Sequence, residues 1–315
     1  MSKLKIVVTG ALGHIGSRLV RDLPVAFPGS EIVMVDNMMT QRFSSLFNLP
    51  SEGNYSFIEA DITKMNLQPL MDGADVVVHL AAITDAAGSF DKAEQLEQNN
   101  FNATKRIAEA CANYGVRMIA LSSTSVYGTQ ATVVDEDCSE DELKPQSPYA
   151  TTKLKEERLV QQLVKEQGLR AVIFRFGTIF GTSPGMRFHT AVNKFCWQAV
   201  MGQPITVWRT AYDQKRPYLD LGDAMRAIEF VIKKDLFNGT VYNVVTKNAT
   251  VRQVVDAIKV YVPQLQLQFV DSPIMNQLSY EVLNSRFLFE GFTVQGDFEA
   301  GIYNTVSLLS AANKV

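Results

Sequence analysis

The stretch IVVTGALGHIGSRLV, residues 6–20, contains Gly10, Gly13 and Gly16 between a strand-like run and a helical pattern. Glycines in this position permit a tight turn, let the backbone approach a pyrophosphate and let the helix pack on the sheet. Backbone amides at the start of the helix then face the negative charge of the ligand. The same spacing also fits a plain strand-to-helix turn. Residues elsewhere in the chain therefore have to distinguish a pyrophosphate-binding loop from such a turn.

The first of these residues is Asp36, twenty residues beyond Gly16, at the end of the strand-like run IVMVDN. A carboxylate there accepts hydrogen bonds from both ribose hydroxyls of an adenosine and repels a 2′-phosphate. The loop and the carboxylate together predict a site for NAD(H) in preference to NADP(H). The predicted cofactor contacts in this part of the chain are Gly10, Gly13, His14, Ile15, Gly16, Asp36 and Asn37, with the His14 side chain packed within the loop.

Short runs rich in Val and Ile alternate with longer amphipathic stretches. The strand-like runs cover residues 5–8, 31–35, 56–59, 75–80, 117–122 and 171–176, and helical patterns cover 91–114 and 148–166. This alternation predicts an α/β fold with a Rossmann-like, doubly wound parallel sheet. It breaks after Gly177, and a helix and a strand return within 219–247. We therefore expect an NAD-binding domain over 1–177, rejoined by 219–247, and a smaller C-terminal substrate-binding domain over 178–315.

Composition narrows the class of protein. The 315 residues carry a formal net charge of −3 with both signs interspersed, which indicates neither a nucleic acid nor a membrane surface as partner. Three widely spaced cysteines indicate a reducing compartment, and no apolar run reaches the roughly 18–20 residues that span a bilayer. No signal-peptide pattern begins the chain, so we expect a cytoplasmic protein. The three isolated histidines predict no metal site, and His79 is expected to be a hydrogen-bonded core residue.

A second motif, SPYATTK, places Tyr149 and Lys153 four residues apart. Ser147 and Pro148 have the character of an N-cap and a first helical residue, so the pair shares one face of the opening turns. The lysine charge and the helix dipole should both favour a tyrosinate, lowering the pKa of the tyrosine from about 10. Such pairs are also common on exposed helices, and the following charges, KLKEER over 153–158, are typical of a solvated helix face.

Hydroxyl side chains strengthen the functional interpretation of this pair. Ser122, Ser123 and Thr124 end another strand-like run, ALSSTSVYG. The carboxyl ends of parallel strands form the crevice in which open α/β folds bind their ligands. With the glycine loop and these hydroxyls, the tyrosine and lysine predict a general base for oxidation of an alcohol.

Taken together, the motifs resemble an extended short-chain dehydrogenase/reductase of the NAD-dependent epimerase/dehydratase family, which acts on nucleotide sugars. The resemblance is carried by VVTGALGHIG, VDN, EADI, VVVHLAA, NNFNAT, SSTSVYG, SPYATTK and KRPYLDLGDA, in this order from residue 7 to about 224. It implies NAD as cofactor, a nucleotide-sugar substrate and a homodimer built on a four-helix interface between the helices 91–114 and 148–166.

The resemblance also implies roles for single positions. The catalytic residues would be Ser123, Tyr149 and Lys153, of which the last two would also contact the cofactor. Further cofactor contacts would be Asp61, Ile62, Leu80, Ala81, Ala82, Asn100, Ser122 and Phe176. The implied substrate contacts are Thr84, Thr124, Thr178, Arg187, Arg209 and Arg216. Of these, Arg216 would hold a substrate phosphate, since the guanidinium donates two aligned hydrogen bonds.

Departures from the family pattern refine the expected activity. Family dehydratases follow their catalytic threonine with an Asp-Glu pair, whereas Thr124 and Ser125 follow Ser123 here, so a 4,6-dehydratase is disfavoured. Thr178 replaces an asparagine, Arg209 replaces a glycine, and MNQLSYEV, residues 275–282, replaces an Arg-Pro-Gly-Asp run. The resemblance favours a 4-epimerase that acts through a transient 4-keto sugar. A C4 dehydrogenase or reductase that releases the keto sugar, and a non-catalytic NAD(H) sensor, are the alternatives.

Overall fold

Strands and helices alternate in the computed structural model, which describes residues 3–84, 93–127, 132–271 and 280–311. The strands are β1 Lys5–Thr9, β2 Glu31–Asp36, β3 Asn54–Glu59, β4 Val76–His79, β5 Arg117–Ser123, β6 Val133–Val134, β7 Ala171–Phe176, β8 Thr178–Phe180, β9 Ile205–Trp208, β10 Lys215–Asp220, β11 Val241–Val244, β12 Lys247–Thr250, β13 Leu267–Val270 and β14 Glu281–Val282. The helices are α1 His14–Ala26, α2 Gln68–Met71, α3 Ala93–Tyr114, α4 Pro148–Gln167, α5 Ala191–Val200, α6 Leu221–Lys234, α7 Val251–Lys259, α8 Ser285–Phe289 and α9 Phe298–Ser310. Residues 91 and 92 of the predicted helix 91–114 lie outside the described residues.

The central element is a seven-stranded sheet in the order β11-β7-β5-β4-β1-β2-β3. All six strand pairings within it are parallel. The strand order turns back between β1 and β4, so a crevice opens there at the carboxyl ends of the strands. This confirms the predicted Rossmann-like parallel sheet.

Helices cover both faces of this sheet, since parallel strands such as β7 are buried along their whole length. One face packs against α1 and α6, and the other against α2, α3 and α4. Helix α4 begins as its sequence predicts, because the Ser147 side chain accepts a hydrogen bond from the Ala150 backbone N–H at 3.2 Å and Pro148 follows directly. The helix therefore starts at a defined residue, which fixes the position of Tyr149.

A second core forms beyond the sheet. Helices α5, α7 and α9 enclose it together with the three-stranded sheet β12-β10-β8, and Phe180, Val254 and Ile302 are fully buried within it. Between these segments, α6 packs against α1, and β11 adds to the edge of the main sheet beside β7. The division of the chain into two domains remains a prediction.

One segment of the C-terminal part packs on the main sheet. The ring of Phe287, in α8, lies 5.4 Å from that of Phe174, 5.0 Å from that of Tyr242 and 4.4 Å from that of Phe292, all within the core of the main sheet. Helix α8, within residues 178–315, thus contributes to the core of the main sheet. No helix in the described ranges is long and apolar enough to cross a membrane.

Candidate active site

The glycine loop connects β1 to α1 at the crevice. Gly10 has a φ of +67°, and a Cβ there would lie 2.7 Å from the backbone nitrogen of Ala81. A Cβ on Gly16 would lie 2.4 Å from the carbonyl oxygen of Gly10. Any larger residue would close the cradle or displace α1, and no side chain caps the N-terminus of α1. The first amides of α1 are thus available to an anion, as a pyrophosphate site requires.

Asp36 ends β2 beside this loop. Its carboxylate accepts hydrogen bonds from the backbone N–H groups of Leu12, at 3.1 Å, and Met38, at 3.0 Å. These bonds fix the carboxylate at the rim of the crevice, while Asn37 is exposed beside it. Arg42, which the sequence analysis did not single out, lies close enough for the Asp36 charge to oppose the lowering of its pKa by burial. The signal for Arg42 was absent because five residues of loop separate it from Asp36.

The ends of β3 and β4 supply the other expected cofactor positions. Asp61 accepts hydrogen bonds from Thr63, which lower the pKa of its carboxyl group, and Ile62 is buried. Leu80 and Ala81 donate their backbone N–H groups to the Thr9 hydroxyl at 3.2 and 3.3 Å, and Ala82 follows in the same extended segment.

Asn100 lies in α3, beneath the segment that follows β4. Its side-chain amide is bonded to both the N–H and the C=O of Ile83, each at 2.8 Å, and the side chain is fully buried. We infer that Asn100 positions the backbone of residues 80–84 through these two bonds. Thr84, at the end of this segment, accepts a hydrogen bond from the guanidinium of Arg187.

The hydroxyl residues at the end of β5 point in different directions. The oxygen of Ser123 accepts hydrogen bonds from the backbone N–H and the hydroxyl of Ser125, at 3.2 and 3.0 Å, and Ser123 stays partly exposed. Ser122 is buried and donates to Glu157 of α4, away from Ser123, because successive side chains of a strand alternate between the faces. Thr124 is buried too, and its hydroxyl donates to the carbonyl of Phe176 at 3.4 Å.

Tyr149 and Lys153 lie in the first turns of α4, as predicted. The Nζ atom of Lys153 lies 6.0 Å from the centre of the Tyr149 ring. Burial raises the pKa of the Tyr149 phenol, while Lys153 and Arg187 act to lower it. The prediction of a lowered pKa is therefore wrong for the chain alone, because loss of hydration outweighs the lysine charge.

The charge run KLKEER does not form a solvated face, in contrast to its prediction. Lys153, Glu156 and Glu157 are buried, and only Lys155 and Arg158 are exposed. The buried charges have partners on other elements that the local sequence does not reveal. Glu157 is paired with Arg175 of β7, with Nη2 and Oε2 2.7 Å apart.

The segment after β8 packs directly on the glycine loop. His14 is hydrogen-bonded to the carbonyl of Gly181 at 2.9 Å, and burial lowers its pKa to about 4, so the ring is neutral. The Gly185 N–H donates to the Ser17 hydroxyl at 2.9 Å, and Arg42 donates to the Gly185 carbonyl at 2.9 Å. The His14 side chain packs in the loop as expected. The same contacts carry Arg187 to a position from which its charge reaches Tyr149.

The remaining substrate candidates separate into two groups. Arg216, in β10, lies over the ring of Tyr280 at 5.6 Å, and the Tyr280 hydroxyl donates to the carbonyl of Thr124 at 3.4 Å. This tyrosine, which sequence reasoning missed, links Arg216 to the end of β5. Arg209 lies instead on an exposed surface, 3.6 Å from Asp271 and over the Phe269 ring.

Two further expectations concern the rest of this region. Thr178 begins β8 and pairs with Tyr218 of β10. Within the MNQLSYEV segment, residues 275–279 lie outside the described ranges. Across the described residues, no group of three His, Cys, Asp or Glu side chains is placed to hold a metal ion.

Comparisons with known proteins identify the family of this chain. The sequence model of the NAD dependent epimerase/dehydratase family matches residues 6–244. The chain belongs to this family. It is 31% identical over 266 residues to the protein described as "Uncharacterized UDP-glucose epimerase YtcB" of Bacillus subtilis (strain 168). The aligned region covers 81% of this chain and 81% of that protein. Dehydratases acting on dTDP-glucose are also among the matches.

Solved structures of epimerases superpose on almost the entire chain. The UDP-glucuronic acid 4-epimerase of Bacillus cereus, in complex with UDP-glucuronic acid and NAD, gives a TM-score of 0.86 at 26% identity over 98% of this chain and 100% of its own. The UDP-N-acetylglucosamine 4-epimerase of Methanobrevibacter ruminantium M1, in complex with UDP-N-acetylmuramic acid, gives 0.86 at 25% identity over 99% and 100%. The resemblance to extended short-chain dehydrogenase/reductases is confirmed.

Proposed function

We propose that this protein is an NAD-dependent nucleotide-sugar 4-epimerase that acts through a transient 4-keto sugar. The observation that carries the proposal is the partly exposed Tyr149 beside the buried Lys153, at the carboxyl edge of a sheet whose β1–α1 turn is a glycine cradle. A tyrosine base beside a dinucleotide site is what reversible oxidation of a sugar alcohol requires. UDP-sugars are the proposed substrate class, since the matched 4-epimerase structures name them.

The residues of the crevice fit NAD, because the cradle has no room for a Cβ and Asp36 offers a carboxylate at its rim. The glycine loop would hold the pyrophosphate, Asp36 and Asn37 the adenosine ribose, and Asp61 and Ile62 the adenine. Residues 80–82, Ser122 and Phe176 would border the remainder of the cofactor, with Asn100 acting through residue 83. When bound, NAD accepts a hydride from the sugar and returns it.

Three side chains would perform the proton chemistry. Tyr149 removes the proton of the C4 hydroxyl and later returns it, and Ser123 donates a hydrogen bond to the C4 oxygen as charge develops there. Lys153 keeps a positive charge beside the phenol, which favours the tyrosinate. Because loss of hydration raises the pKa of the phenol, its ionisation near neutral pH needs this charge and that of Arg187.

Basic and hydroxyl side chains near Tyr149 would hold the substrate. Arg187 and Thr84 are bonded to each other near the phenol, and Arg216 is linked through Tyr280 to Thr124. Arg216 would bind a phosphate of the nucleotide, while Thr178 and Thr124 would face the sugar. Arg209 is assigned to the outer end of the nucleotide, because it lies beside the exposed ring of Phe269.

The fate of the keto sugar distinguishes epimerisation from its main alternative. With C4-deuterated UDP-sugar as substrate, an epimerase keeps the label at C4 of the epimerised product. A dehydrogenase loses the label from the sugar and releases one keto sugar for each oxidation. Mass spectrometry of the product decides between them, and stoichiometric keto sugar without label would refute the proposal. Absence of the Asp-Glu pair after Ser123 argues against loss of water.

We further propose a cytoplasmic homodimer with the two domains described above. The spacing of the three cysteines does not fit a set of structural disulfides, which supports a cytoplasmic location. Helices α3 and α4 lie side by side on one face of the sheet, where the corresponding helices of a partner would complete a four-helix interface. A two-fold symmetric contact of this kind is the commonest in soluble oligomers.

A further inference from the structure

A chain of buried hydrogen bonds leads from the proposed active-site lysine to the glycine loop. The Nζ atom of Lys153 donates to Oε2 of Glu156 at 2.9 Å, and the Thr104 hydroxyl donates to the same oxygen at 3.0 Å. Nε2 of His79 lies 3.2 Å from the Thr104 oxygen, and Nδ1 lies 2.8 Å from the hydroxyl of Thr9. Thr9 directly precedes the loop, so the chain joins α4, α3, β4 and β1.

Each link in this chain has a defined direction. Because the Thr104 hydroxyl donates to the carboxylate, its oxygen must accept from Nε2–H of His79. Nδ1 of His79 then carries no proton and accepts from the Thr9 hydroxyl. Burial lowers the pKa of His79 to about 3, so a neutral ring with one proton fits both bonds. With its proton donated to His79, the Thr9 hydroxyl oxygen accepts hydrogen bonds from the backbone N–H groups of Leu80 and Ala81, which follow β4.

Among the groups in this series of hydrogen bonds, the carboxylate of Glu156 is the only charged acceptor. Its side chain is 6% exposed and that of Lys153 is 7% exposed, so the pair is shielded from water. Oε1 of Glu156 has no hydrogen-bond partner among the described residues. Glu156 also lines a cavity of about 10 Å³, the space of roughly one water, together with His79, Thr104 and Ser122. A buried carboxylate that is incompletely bonded destabilises the fold, and a role in positioning another group would account for its presence.

We propose that Glu156 is a positioning residue for the reaction, which holds the Lys153 ammonium and ties it to the strand that carries the glycine loop. The inference rests on the proposed function, in which Tyr149 is the base that Lys153 serves. Glu156 thereby keeps the positive charge of Lys153 in place near the Tyr149 phenol. The residue stands three positions after the lysine, in a run whose sequence is typical of an exposed face.

The charged groups around the pair define what Glu156 contributes. From α4 come Glu156 and Glu157, from the segment before α5 comes Arg187, and His79 of β4 is neutral. Glu157 is paired with Arg175, so Glu156, which contacts the Lys153 ammonium directly, is the carboxylate with the larger effect on the pair. Burial acts to lower the pKa of Lys153, but Glu156, together with Tyr149 and Glu157, raises it above its usual value. The same negative charge raises the pKa of Tyr149, adding to the effect of burial.

Removing this charge should therefore lower both pKa values. In the NAD-loaded protein, E156Q should move both limbs of the kcat/KM profile to lower pH by about one unit. The acid limb moves because Tyr149 ionises sooner, and the alkaline limb because Lys153 loses its proton sooner. E156D keeps the charge and should retain the wild-type limbs. E166Q removes an equal charge from the exposed part of α4 and should change neither limb.

A second measurement does not require turnover. Ultraviolet difference absorbance between each protein and its Y149F counterpart reports the ionisation of Tyr149 alone, and this titration should shift to lower pH in E156Q. If no nucleotide sugar is converted, the proposed function fails, yet this titration still tests Glu156. Unshifted titrations in folded E156Q would overturn the proposal. Should E156Q not fold, Glu156→Met must give the same shift, and failure of both to fold would make Glu156 purely structural and the proposal wrong.

Discussion

Replacing Arg175 with methionine should destabilise the protein severely, because the change leaves a buried carboxylate without its counterion. The guanidinium donates to Glu157 through Nη2 at 2.7 Å and through Nε at 3.0 and 3.2 Å. Nη1 also donates to the hydroxyl of Tyr127 at 3.0 Å. These bonds join β7, α4 and the end of β5, where Ser122 donates to the same carboxylate.

The size of the effect follows from the burial of the pair. The two side chains are 6% and 2% exposed, so water cannot replace the lost partner. Removing one member of such a buried pair costs about 3–5 kcal/mol of unfolding free energy. An unfolding entropy of about 2.1 cal/mol/K per residue gives roughly 0.66 kcal/mol/K for 315 residues. The unfolding temperature should therefore fall by about 5–8 °C.

Urea unfolding and thermal scans without cofactor measure this loss. Arg170→Met is the matched control, since the pair of Arg170 with Asp235 is 51% and 55% exposed and should contribute less than about 1 kcal/mol. Adding Glu157→Gln to Arg175→Met removes the unpaired charge and should restore at least half of the lost stability. An Arg175→Met protein no less stable than Arg170→Met would refute the reasoning.

Three further predictions concern catalysis, the cofactor and assembly. Tyr149→Phe should lower turnover of the UDP-sugar by about 10²–10⁴ while NAD binding, followed by fluorescence, stays nearly unchanged; a near-normal rate would contradict the assigned base. NAD(H) should bind more tightly than NADP(H) because the Asp36 carboxylate, held by Leu12, repels a 2′-phosphate. Asp36→Ala should narrow that preference, since Arg42 remains nearby, and tighter NADPH binding by the wild-type chain would argue against the assignment. Sedimentation at micromolar concentration should show a dimer, and a monomer there would count against the α3–α4 interface.

Several features could be predicted from the sequence because they depend on neighbouring residues. Strand and helix periods are local, and so are the N-cap at Ser147 and the turn at Gly10, whose positive φ favours glycine. These features predicted the parallel sheet, the cradle and the place of Tyr149 with Lys153. His79 was expected to be a bonded core histidine, and the structure confirms this with partners at both ring nitrogens.

Only the tertiary structure decided the environment of those residues. The pKa of Tyr149 depends on how much water the assembled fold excludes, and here burial outweighs the lysine that the sequence placed beside it. Glu156 and Glu157 have the sequence of an exposed helix face, yet their partners, Thr104 and Arg175, come from α3 and β7. Charges can be buried only where such partners meet them, and residues distant in the chain meet only once the fold has formed.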